Sequence, residues 1–235
     1  MALSHSPKIV TDGLILCLDA ADKKSYSGSG TTWYDRSGQG NNAVSQASAS
    51  LTEGRFNSNG YFDLNEADDV YFLISGLNNY NFGSNVTVDF WIKNTGGDYR
   101  AIVQNSDTSV TNDTIDIRFG REDYYGGANN GTQCIFNLNS STTYLSFYVP
   151  LNVWTHVACT FDGSTMRAYT NGEEFSNTSY SSSINQSAYD MKLFRHYNTA
   201  EDLVNPFASI RIYNKTFTAA EVAQNFNAMR GRFGI

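Results

Sequence analysis

The phrase WTHVACTFDGSTMRAYTNGEE, residues 154–174, gathers residue types that do chemistry: tryptophan, histidine, cysteine and paired glutamates. A Cys/His dyad needs the imidazole within hydrogen-bond reach of the thiol. His156 and Cys159 are three apart, and on a strand that spacing sends the side chains to opposite faces. The other histidines are His5, near the N-terminus, and His196, in LFRHYN. Neither a Gly-x-Ser-x-Gly elbow nor a phosphate loop occurs. The cysteines, Cys17, Cys134 and Cys159, are odd in number and match no metal-ligand spacing. Cys17 and Cys159 sit in apolar runs, LILCLD and VACTF, and read as buried thiols. Asp113 and Asp116 are again three apart, on opposite strand faces. Glu173 and Glu174 follow a hairpin turn and read as solvated.

Binding chemistry is better represented, in two loops. WYDRSGQGNN, residues 33–42, concentrates oxygen donors on a flexible backbone. Calcium takes six to eight oxygens from carboxylates, amides and carbonyls. Asp35, Asn41 and Asn42 are the expected calcium ligands; an ordinary Gly/Asn turn is the plainer reading. Glycans need flat aromatic platforms beside polar groups. Tyr26, Trp33 and Tyr34 offer one such set, and Arg121, Asp123, Tyr124 and Tyr125 in REDYYGGANNG offer another. Tyrosines also serve subunit contacts and half-buried packing.

The elements that must position these loops are short strands. In NVTVDFWIKN, Val86, Val88, Phe90 and Ile92 fall on one face and Thr87, Asp89, Trp91 and Lys93 on the other. That period of two predicts a half-buried strand. In WTHVACTF, Thr155, Val157, Cys159 and Phe161 oppose Trp154, His156, Ala158 and Thr160. Asp162-Gly163 and Asn171-Gly172 then turn the chain twice, because both pairs reach positive φ cheaply. Residues 154–178 therefore read as a three-stranded meander. One helix is expected in KTFTAAEVAQNFNAMRG. Thr218 and Glu221 complete a capping box, Phe217 and Val222 a staple, and Gly231 a stop. Many short strands, one terminal helix and no fixed repeat predict an all-β, two-sheet antiparallel β-sandwich of one domain over residues 12–235. An N-terminal arm precedes it over residues 1–11.

Composition narrows the function classes. The 235 residues carry a net charge of −7 and only 17% charged side chains. No basic run exists to grip phosphates, so no nucleic acid is expected. No stretch approaches 18 apolar residues, so no membrane span is expected. MALSHSPKIVTDG lacks a basic start and a long apolar core. No signal peptide is expected, and synthesis in a cytoplasm follows.

TVDFWIK, WTHVACTFDGSTMRAYTNGEE and SIRIYNKTFTAAEVAQNF together resemble the landmarks of the concanavalin A-like lectin/glucanase superfamily, in its laminin-G-like jelly-roll form. The resemblance covers about residues 12–228 and implies two packed antiparallel sheets. Its glucanases carry Glu-x-Asp-x-x-Glu on one strand. Here Glu66 and Asp68 come nearest, but Tyr71 stands where the second glutamate belongs, so no enzyme is expected. Loops like 33–42 hold calcium in some laminin-G-like domains. An acidic residue often precedes the IRIY phrase there, whereas Ala208 and Ser209 stand here, which removes one ligand.

A narrower resemblance is carried by SHSPKIVTDGLILCLDAADKKSYSGSGTTWYDRSGQGNNA and the closing MRGRFGI. They are similar to virion structural proteins of marine tailed phages. That implies a non-enzymatic capsid-decoration or tail-fibre module made in the host cytoplasm. It would assemble with other virion proteins or itself, with the N-terminal arm or RGRFGI as contacts, and would contact a cell-surface glycan. A carbohydrate-binding, lectin-like module of a bacterial or viral surface protein is the alternative. An endo-glycanase is disfavoured by the missing carboxylates.

Overall fold

A computed structural model describes residues 7–46, 55–64, 70–97, 100–105, 114–120, 131–195 and 203–235. The first half of the chain contributes β1 (Leu14–Asp19), β2 (Thr32–Trp33), β3 (Ala43–Ser45), β4 (Phe56–Asn57), β5 (Tyr61–Phe62), β6 (Phe72–Ile74), β7 (Val86–Lys93) and β8 (Ala101–Gln104). The second half contributes β9 (Ile115–Phe119), β10 (Gly131–Leu138), β11 (Tyr144–Pro150), β12 (Trp154–Phe161), β13 (Thr165–Thr170), β14 (Glu173–Ser179), β15 (Met191–Leu193) and β16 (Phe207–Tyr213). One helix follows, α1 (Ala219–Met229).

The strands form two antiparallel sheets. Sheet I runs β14-β13-β12-β7-β16-β5-β4, with β1 also paired to β16. Sheet II runs β11-β10-β9-β8-β15-β6-β3-β2. Between them lies one apolar core, to which sheet I sends Val88, Phe90 and Val157, and sheet II sends Ile117, Phe136 and Phe147. The expected meander is present: β12 pairs β13 and β13 pairs β14. Asn171 (φ 51°) and Gly172 (φ 87°) supply the two left-handed residues of its second turn.

The strand over Val86–Lys93 departs from expectation. It is buried on both faces, Lys93 alone being partly exposed. The reason is α1, which lies on the outer face of sheet I. Thr218 and Glu221 close the capping box that starts it. Val222 and Phe217 pack on Ala158, Tyr169 and Tyr213. The helix ends at Met229, before Gly231. The tail continues as a 3-10 turn, Arg230–Phe233, closed by left-handed Gly234. Phe233 stacks on Trp91 with ring centroids 4.0 Å apart, and Arg232 bonds Asp19 and the Gly60 carbonyl. Phe233 and Arg232 of the RGRFGI tail thus hold it to its own domain, while Gly231, Gly234 and Ile235 stay exposed. The arm expected over residues 1–11 is likewise fixed at its inner end. The Val10 amide donates to Asn225 and the Val10 carbonyl accepts from Tyr213.

Beneath α1 lies a buried charged network. The Asp89 carboxylate accepts from Arg211 Nη1 at 3.0 Å and Asn225 Nδ2 at 2.6 Å, and His156 Nε2 lies 3.4 Å away. Burial alone would raise the Asp89 pKa. Arg211, His156 and Asn225 outweigh it and hold the carboxyl down at about 2. A carboxyl depressed in the folded state stabilises above its unfolded pKa, near 4, and loses that contribution as pH falls towards 2. Wild type should therefore lose its stability advantage over Asp89→Asn between about pH 4 and pH 2. Urea midpoints of both proteins, measured across that window, check this. A constant difference would contradict it.

Candidate functional site

The outer face of sheet I is covered by α1; the outer face of sheet II carries polar side chains. Strand alternation puts them there. In β9, Ile115, Ile117 and Phe119 enter the core, so Asp116 and Arg118 face outward. In β10, Cys134, Phe136 and Leu138 enter it, so Gln133, Ile135 and Asn137 face outward. The register aligns these residues across strands. One row runs from Lys192 through Gln104, Asp116 and Asn137 to Tyr144. It crosses five strands, about 19 Å at the usual strand spacing. The other way it continues through Leu73 to the exposed Val44.

These polar groups are held in place. Gln104, Asp116, Gln133 and Asn137 are all buried, although none points into the core. Burying a polar group costs free energy unless it is bonded. The Arg118 guanidinium lies 3.0 Å from the Asp116 carboxylate. Gln133, 5% exposed, has an amide oxygen with no hydrogen-bond partner among the described residues. Gly120 leaves that amide its room: a Cβ there would stand 2.9 Å from the oxygen. Aromatic rings edge the face along β11. Tyr148 is the ladder partner of Gln133, and its ring lies 6.3 Å from that of Phe175.

The other flank is shaped by strain. Phe194 holds φ at 74°, rare for a bulky residue and costing on the order of 1–3 kcal/mol. Its ring is clamped against Phe72 and Phe207 in the core. The backbone turn it makes ends β15, and Arg195 follows with its guanidinium 3.7 Å over the Tyr71 ring. Fixed carboxamides, a carboxylate and a guanidinium beside aromatic rings form a surface suited to hydroxyl-rich ligands.

The residues singled out from the sequence fare differently. Tyr26 and Trp33 are core residues, not platforms: Tyr26 packs on Phe56 and Phe62, and Trp33 on Phe62 and Phe72. The alternation of β2 turns Trp33 inward, and Tyr34 beside it is 50% exposed. Arg121, Asp123, Tyr124 and Tyr125 lie outside the described residues, as do His5, His196, Asp113 and Glu66. The segment 121–130 joins β9 to β10, the strands that carry Arg118 and Gln133. Cys17, Cys134 and Cys159 are free and buried, and burial pushes each thiol pKa up.

Asp35, expected on calcium with Asn41 and Asn42, is instead a buried fastener. One oxygen accepts from the Cys17 and Ser37 amides; the other accepts from the Asn41 amide and the Ser37 hydroxyl. Asn41 donates to the Ile15 carbonyl, and Asn42 accepts from the Asp35 amide. The carboxylate lone pairs are thus taken by protein donors. Among the described residues no group of three His, Cys, Asp or Glu side chains is placed to hold a metal. Asp35→Ala should cost about 1–3 kcal/mol, since it strands buried amides, and EGTA should leave the wild-type melting midpoint unchanged. A midpoint raised by calcium and lowered by EGTA would contradict this.

The family model of the concanavalin A-like lectin/glucanases superfamily, in its laminin-G form, matches residues 57–223. The chain belongs to that superfamily. No curated protein matches it in sequence. Among solved structures, the superfamily sandwich resembles the receptor-binding domain of a botulinum neurotoxin C/D mosaic at 15% identity and TM-score 0.62, over 92% of this chain and 51% of that one. It resembles the binding domain of Paraclostridial Mosquitocidal Protein 1 at 16% identity and TM-score 0.62, over 93% and 52%. The chain thus spans about half the length of these toxin domains. Domain 4 of AbnA, an extracellular arabinanase from Geobacillus stearothermophilus solved with arabinotriose, matches at 14% identity and TM-score 0.60, over 90% and 97%. At these identities the likeness establishes the jelly-roll fold. No helix among the described residues is long and apolar enough to cross a membrane.

Proposed function

We propose that this domain is a non-catalytic, lectin-like glycan-binding module whose site is the outer face of sheet II. The observation that carries the reading is Gln133: a buried amide oxygen without a partner among the described residues, on the same non-core face as Asp116 and Arg118. Sugar hydroxyls both donate and accept, and such a face offers both. Asp116 is the one carboxylate in β8–β11, so those strands supply no pair for glycoside hydrolysis. The arabinanase domain, solved with a trisaccharide, and the toxin binding domains support a recognition role for the same scaffold. A multivalent glycan array tests the reading. Binding to a defined set of glycans is expected, and silence across the array at high protein density would end it.

The setting belongs to the proposal too. The N-terminal and C-terminal phrases favour a phage virion, with the module displayed as a capsid decoration or on a tail fibre. Mass spectrometry of purified particles should find the chain at fixed stoichiometry, and its absence from particles would remove this setting while leaving glycan binding untouched.

A further inference from the structure

The β13–β14 ladder contains one irregularity. Ala168 pairs Ser176 and Tyr169 pairs Glu174, so Phe175 is the extra residue of a bulge. A bulge bends the strand and re-aims the side chain it carries. Strand β14 is the free edge of sheet I, and β11 is the free edge of sheet II. The two edges meet: the Ser176 hydroxyl donates to the Ser146 carbonyl at 3.0 Å. At that seam the Phe175 ring stands 6.3 Å from Tyr148, which belongs to the other sheet, and stays 49% exposed. Tyr148 is in turn the direct ladder neighbour of Gln133. The line Gln133–Tyr148–Phe175 therefore leads from the amide oxygen across the edge of one sheet onto the other.

We infer that Phe175 is a sugar-stacking residue, delivered by the β14 bulge to the rim of the sheet II face. The inference rests on the glycan-binding reading above and names its ligand more closely. The ligand is an oligosaccharide long enough to reach from Asp116 and Gln133 to the β11–β14 seam. One ring lies its apolar face against Phe175, with the tilted Tyr148 ring at its side, while the next places hydroxyls at Gln133. A single sugar cannot satisfy both ends, so affinity climbs with chain length until the seam is reached.

The test uses the whole chain and the oligosaccharide series of whichever glycan binds on the array. Phe175→Ala should weaken the longest member about tenfold, leave the shortest binder unchanged, and keep the wild-type melting curve. Phe175→Trp should restore the long-chain affinity, and its indole fluorescence should change on titration. Affinity unaltered in Phe175→Ala, or lost equally in Phe175→Ala and Phe175→Trp, overturns the stacking role while the glycan-binding reading stands. If no glycan binds wild type, the reading itself fails and this inference falls with it.

Discussion

Arg211→Met should destabilise the fold by about 3–5 kcal/mol, the usual cost of stripping one partner from a buried ion pair. The variant leaves Asp89 buried with Asn225 and His156 but without its guanidinium partner. It also removes the contact from Arg211 Nη2 to the Met229 sulfur in α1. The effect reaches far because the network is where sheet, helix and N-terminal segment meet. Asn225 alone bonds Asp89 and the Val10 amide. The double variant Asp89→Leu/Arg211→Met should lose less than the two single losses added, since removing both charges removes the stranded one. Urea denaturation of the four proteins of this cycle gives the coupling. A loss below about 1 kcal/mol in Arg211→Met would show that the pair is solvated and the helix held by its apolar contacts instead.

Trp33→Ala should be comparably severe, about 3–5 kcal/mol, whereas Tyr34→Ala should lie within about 0.5 kcal/mol of wild type. The neighbours differ only in which way β2 turns them. Trp33 fills the space between Phe62 and Phe72, and its indole nitrogen makes no hydrogen bond among the described residues. Trp33→Phe should therefore recover most of the loss, because it keeps an aromatic ring in that space and removes the buried N–H donor. Thermal and urea melts decide this. A Trp33→Ala protein of wild-type stability that no longer binds glycan would return Trp33 to the role of platform.

The frame of the molecule was legible because its signals are local. Asn171-Gly172 can take two positive φ values in succession, and Thr218 with Glu221 closes a box within one helical turn. What lay beyond local signals was what covers each face. The alternation over Val86–Lys93 is real, but the polar side looked solvent-facing. It is covered by a helix more than a hundred residues later in the chain. The same ambiguity applies to the binding residues. Aromatic residues in a Gly-rich loop look like platforms, yet Trp33 points inward. Asp116, Gln133 and Asn137 look like ordinary outward residues of short strands; only the ladder register joins Asp116 and Asn137 into a row and sets Gln133 beside Tyr148. IDIRF and TQCIFNL did carry a signal, since polar residues alternate there with core residues on two strands that proved adjacent. Phe175 could not have been found: a bulge is invisible until two strands are paired.

The central claim is that the outer face of sheet II holds a glycan, and the most direct measurement locates that binding. Isothermal titration of an array-positive oligosaccharide should give about 10- to 100-fold weaker affinity for Gln133→Ala and for Asp116→Ala. Tyr34→Ala, on the loop first suspected, should bind as wild type does. Equal affinity for wild type, Gln133→Ala and Asp116→Ala, with loss on Tyr34→Ala, would contradict the account and return the site to the 26–42 loop.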